Sequence, residues 1–160
     1  MKKLLSILGI LVAGVFFLSA VSLAQHSHGG MSMGTPMKMD TKEVLVEGVK
    51  VTFQIMANDE HQKMLKDMKM KEDIEPATTH NITVTLKDEK SQKEITDAKI
   101  NMKVVDQNGK AQIKALKSEE EMKSYDAYFN LSEKGKYQVM VRLKVKDKKP
   151  IDAGIYYEVK

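Results

Sequence analysis

From Glu43 onward, apolar side chains return at every second position in short runs. Val49, Val51, Phe53, Ile55 and Ala57 share one parity, with Lys50, Thr52 and Gln54 on the other, as in a strand with one buried face. Val44 and Val46 suggest a short strand just ahead. The alternation recurs at His80, Ile82, Val84 and Leu86 and stops in the polar run Lys87 to Lys93. It returns at Ile100, Met102 and Val104, at Tyr125, Ala127, Phe129 and Leu131, from Tyr137 to Val145, and from Ile151 to Val159. Asp106-Gln107-Asn108-Gly109 carries an Asn-Gly pair that predicts a hairpin, with Ile113 to Leu116 pairing back across it. Seven or eight short strands suited to antiparallel pairing predict an all-β fold, an immunoglobulin-like antiparallel β-sandwich of about seven strands. A small closed barrel fits the same alternation, because period two does not set strand order.

One segment has a different period. Asn58 is a candidate N-cap, and Asp59 and Glu60 follow in the first turn, where the helix dipole favours acids. At about 100° per residue His61, Met64, Leu65 and Met68 share one arc, with Met70 opposite, so a short amphipathic helix is predicted over Asn58 to Lys71. Pro76 ends it. Further on, Gly135-Lys136-Tyr137 opens an alternating run. Either the Tyr137 phenol caps backbone groups at a sandwich corner, or Tyr137 is a β-prone residue on the buried face.

Before Glu43 no alternation is present. Lys2 and Lys3 precede an apolar stretch from Leu4 to Leu18, and Ser19 to Gln25 follows with small residues at Ser22 and Ala24, the order of a secretory signal peptide over residues 1–24. Cleavage before Gln25 is expected, with the bond after Ala20 as the alternative. Left uncut, the segment approaches the roughly 20 residues that span a bilayer and would tether the chain to a membrane. Residues 25–42 are rich in Gly, Ser, Thr, His and Met, too polar to offset the cost of ordering, and predict a flexible tail before a domain at 43–160. A periplasmic or secreted protein follows. Without cysteine, neither a lipobox nor a disulfide is available, so a hydrophobic core must hold the fold.

Charges of both signs are interspersed. The net charge of +4, two units of which leave with Lys2 and Lys3, therefore speaks for solubility and not for nucleic acid. Methionine is the outlier: twelve, all but Met1 beyond the leader, against no tryptophan. In the tail, His26, His28, Met31, Met33, Met37 and Met39 fall within fourteen positions. Thioethers favour Cu(I), and imidazole accepts Cu(I), Cu(II), Zn or Ni, so this stretch could wrap one soft ion, or it could be a plain spacer. If Gln25 is the first residue, His26 is second; an amino-terminal copper clamp wants it third. On the helix, His61, Met64 and Met68 are spaced to converge on one ion, or to cover one end of the sandwich as adaptable core. Met70 and His80 are possible neighbours, with His80 at the mouth of the core as a ligand or as a hydrogen-bonded structural residue.

The run His80 to Leu86, Asp97-Ala98-Lys99-Ile100, Asp106 to Gly109, Tyr125 to Phe129 and Gly135 to Val139 resembles the YtkA-like group of small exported immunoglobulin-like domains, over roughly residues 79–159. The resemblance implies an envelope β-sandwich similar to the periplasmic sandwiches of copper handling, in a group often suspected to involve metal. Ala115 to Ser124, where such domains often carry a Met- or His-containing glycine loop, holds only Met122. No Gly-x-Ser-x-Gly, His-Glu-x-x-His or phosphate loop is present, so no enzyme is expected. Arg142, Lys144, Lys146 and Lys148 form a basic stripe, a solvated face or a contact for an acidic partner or lipid. The leading expectation is an exported envelope protein that binds or carries copper. The alternative is a structural or interaction module that docks an envelope protein, and reversible oxidation of exposed methionines is a third possibility.

Overall fold

The computed structural model describes residues 37–71 and 73–160. The leader and the tail residues His26, His28, Met31 and Met33 lie outside them. Two antiparallel sheets face each other. One has the order β1-β2-β3-β7-β6, from strands Met39–Val46, Val49–Ala57, His80–Asp88, Ser124–Phe129 and Lys117–Glu119. The other has the order β5-β4-β8-β9, from Ala111–Ala115, Lys99–Val105, Gly135–Lys144 and Ile151–Val159. The order β2-β3-β7-β6 against β5-β4-β8-β9 is that of an immunoglobulin sandwich, with β1 as an added edge strand. A single helix among the described residues, α1 (Asn58–Asp67), is inserted between β2 and β3. It is neither long nor apolar enough to cross a membrane.

The parity that predicted the strands also fills the core. Phe53, Ile82, Val84, Tyr125, Phe129, Met102, Val139 and Leu143 are all buried between the sheets. Each large apolar side chain buried this way contributes roughly 1.5–3 kcal/mol. Tyr137 resolves as the corner: its hydroxyl donates to the Glu133 carbonyl at 2.8 Å and accepts from the Glu133 amide at 3.2 Å. Gly135 enters β8 at φ 131°, a conformation that strains any residue with a Cβ, and a Cβ there would also push aside the Gln107 side-chain end, 2.4 Å away at Oε1. The Asn108-Gly109 turn forms as expected, its amides at Asn108 and Lys110 gathered on Asp106 Oδ1 at 2.9 and 2.8 Å.

Three boundaries differ from the sequence expectation. Strand β1 starts at Met39, inside the stretch read as tail up to residue 42. Its side chains are exposed as far as Glu43, and what holds it is the ladder with β2, in which Met39 pairs with Met56 and Val46 with Val49. Backbone pairing leaves no trace in apolar periodicity. Asn58 is not the cap: Ala57 occupies that position without a side-chain bond, and Asn58 Nδ2 donates instead to the Thr78 carbonyl at 3.0 Å. The stretch Ala115 to Ser124, set beside a glycine loop in the sequence, is partly strand, because Lys117, Ser118 and Glu119 pair with β7.

Candidate functional site

Register sets one row of residues across four strands of the first sheet. Met39 lies opposite Met56, Met56 opposite Asn81, and Asn81 opposite Tyr128. These positions have the parity that faces away from the core. Directly after Ala57 the chain turns into α1, which folds over this outer surface and buries His61 and Leu65, one turn apart. Between β6 and β7, Lys123 at φ 50° helps the connection turn beside Met122. The result is a cavity of about 180 Å³ walled by Met39, Met56, Met64, Met122 and His61. Asn81, Thr83 and Ser124 form its polar floor. Four thioethers and one imidazole, drawn from β1, β2, α1 and the β6–β7 connection, thus share one space.

The imidazole is the most constrained member. His61 is 2 % exposed, with Nδ1 3.1 Å from the Tyr128 hydroxyl and the rings tilted at 5.6 Å between centroids. Its Nε2 has no hydrogen-bond partner, nor does Ser124 Oγ. A buried polar atom left this way costs free energy unless a ligand meets it. Burial lowers the His61 pKa against the opposing pull of Asp126, so the ring is neutral at ordinary pH. Burial, with Asp126 nearby, pushes the Tyr128 phenol up to about 12 and keeps it protonated. Asp126, raised by its own burial, accepts from Asn81 Nδ2 at 2.7 Å, and Asn81 Oδ1 accepts from Thr83 Oγ1 at 2.8 Å. Neutral sulfur and nitrogen donors therefore rest on a hydrogen-bonded polar row.

The residues singled out from the sequence separate into groups. His61, Met64 and Met39 come together. Met68 does not join them: it is the C-cap of α1, 48 % exposed, beyond the turn that faces the sheet. His80 is on β3 with the inward parity, at the mouth of the core as expected. There Thr79 Oγ1 lies 2.8 Å from its Nδ1, Tyr157 is edge-on at 6.1 Å, and burial lowers its pKa against Asp59 and Asp40. It lines a separate cavity of about 360 Å³ with Asp40, Glu60 and Tyr157. Met37 is exposed. In the basic stripe, Arg142 makes two 2.8 Å bonds to Asp152 on the solvent side. Among the described residues no three His, Cys, Asp or Glu side chains form a group that could hold a metal ion.

Met56 and Met122 escaped the sequence reading. The signal for Met56 was available: an apolar residue on the polar parity of a strand asks what covers it. Met122 follows three glutamates and reads as a loop residue until β7 is placed beside β3.

No family model matches the chain, and no curated protein matches it. Solved structures share its fold. A DUF4426 family protein from Pseudomonas aeruginosa superimposes with a TM-score of 0.59 at 11 % identity, over 74 % of this chain and 94 % of that one. FetP from uropathogenic Escherichia coli, recombinantly expressed in the periplasm, gives 0.56 at 11 % identity over 76 % and 96 %. A copper-bound variant of FetP gives 0.55 at 11 % identity over 76 % and 97 %.

Proposed function

We propose that this is an exported envelope protein that binds copper as Cu(I), in the cavity between α1 and the first sheet. The observation that carries the reading is the convergence of Met39, Met56, Met64, Met122 and an unpartnered His61 nitrogen on one small space. Thioether and neutral imidazole are the donors Cu(I) prefers. A monovalent ion among uncharged ligands also meets a smaller desolvation cost than a divalent one. For His61 to ligate through Nε2, Nδ1–H donates to the Tyr128 oxygen, and the raised phenol pKa keeps that oxygen neutral. The likeness to copper-bound FetP supports the reading at the level of fold, and the resemblance to the YtkA-like group agrees with it. No catalytic step is proposed.

Anaerobic Cu(I) titration followed by native mass spectrometry tests this. Since β1 begins at Met39, the tail-free form must start at residue 37, not 43. One equivalent should survive a mild competitor in that form and be lost when His61 and Met56 are both changed to Leu. If the form starting at residue 37 retains none while the longer form does, the site is in the tail and the cavity reading fails.

A second reading, a module that docks an envelope protein, is favoured by the outer face of the second sheet. There Ile113 is 69 % and Tyr156 59 % exposed around a shallow groove of about 810 Å³ bordered by Lys103 and Arg142. Crosslinking in cells should trap a partner through this face; recovery of the protein only as an uncrosslinked monomer would end that reading.

A further inference from the structure

Resting on the copper reading above, we infer that metal exchanges at one corner of the cavity, through Met39, with Met37 as the outer donor. The five donors differ sharply in access. His61 and Met56 are 2 % and 5 % exposed, and Met64 and Met122 are half-buried, whereas Met39 walls the cavity and is still 41 % exposed. Met39 is also on an edge strand, held from one side by β2 and directly opposite Met56. One position is thus in contact with solvent while its cross-strand neighbour is sealed in. Met37, 47 % exposed, lies two residues earlier, where an extended chain returns to the same side.

The sequence carries further pairs of the same kind toward the amino terminus. His26 and His28, Met31 and Met33, and Met37 and Met39 are three pairs of soft donors at a spacing of two in the sequence, and Met39 of the last pair lines the cavity. Cu(I) exchanges among such ligands by association: a new sulfur or nitrogen bonds before an old one leaves, so the ion is never bare and no change of oxidation state is needed. A tethered thioether is present at roughly millimolar effective concentration, far above a dilute free ligand, and so dominates the exchange path. The five cavity donors hold the ion; the exposed Met39 and Met37 set how fast it comes and goes.

The two roles separate experimentally. Stopped-flow transfer of Cu(I) from the loaded, leader-free protein to the chelator bicinchoninate gives the rate, and competition at equilibrium gives the affinity. Leucine keeps the volume of each site while removing the sulfur. Met37→Leu, outside the cavity, should slow transfer about tenfold and leave affinity within roughly threefold, whereas Met39→Leu should slow transfer and weaken affinity together. Met56→Leu should weaken affinity by about tenfold or more. Equal rates for wild type and Met37→Leu, or a Met37→Leu affinity loss as large as that of Met56→Leu, would overturn the exchange role while leaving the copper site standing. A wild-type protein that holds no Cu(I) would instead remove the copper reading itself, and the exchange role with it.

Discussion

The outer faces of the two sheets have the same place in the pattern and opposite chemistry. On the second sheet most outward positions, Lys99, Asn101 and Lys103 on β4 and Lys136, Gln138, Arg142 and Lys144 on β8, are exposed, with Met140 half-buried among them. On the first sheet the outward positions Met56, Asn81, Ser124 and Asp126 are buried, because α1 lies over them. A period of two says which residues face the core and is silent about what lies beyond the other face. Here a ten-residue helix turns one outer face into a second interior, lined with sulfur and polar groups, of which His61 Nε2 and Ser124 Oγ have no hydrogen-bond partner.

The polar row of that second interior should behave as core. Asn81→Ala leaves the Asp126 carboxylate without its donor in a buried setting, and should cost about 3 kcal/mol in urea denaturation. A loss below about 1 kcal/mol would return Asn81 to the class of solvated face residues. A smaller effect concerns protons. His61 has its folded pKa below the ordinary value of 6.5, so the unfolded chain takes up a proton first. The stability this gives is complete above 6.5 and is lost as pH falls from there through the lowered folded value. Thermal melts across this window should show a shallower dependence in His61→Leu than in wild type. The slope should not vanish, since His80 is lowered in the same way. An unchanged slope would mean that His61 is as freely solvated as the lysines of the other sheet. The smallest effect is on that other face, where Ile113→Thr should change stability by no more than about 0.5 kcal/mol.

The sandwich was legible because its strands are each buried on a single side: Phe53, Val84 and Val139 announce the core by parity alone. The helix was legible for a similar reason, through the change of period at Asn58. The site was legible in halves. His61 and Met64 follow from spacing on one helix, but their partners come from strands whose neighbours are set by sheet order, which period two leaves open. Met68 was drawn in by the same spacing and is excluded by where the helix ends. Met39 was visible as chemistry and misplaced as structure, because an edge strand held by its backbone shows no apolar rhythm.

The helix leaves and rejoins the sheet at one rung. Ala57 and His80 are partners in the β2–β3 ladder, and the Asn58 amide continues it to the Thr79 carbonyl at 2.9 Å. The stretch between Asn58 and Thr79 is therefore an insert that closes the β2–β3 hairpin: the strand pairing would be the same if a tight turn closed the gap. A sandwich of this type can gain, lose or trade a ligand-bearing cover as a unit, without renegotiating its core. Grafted at the same rung of another immunoglobulin-type scaffold with methionines at the positions of Met39 and Met56, the segment would bring His61 and Met64 with it.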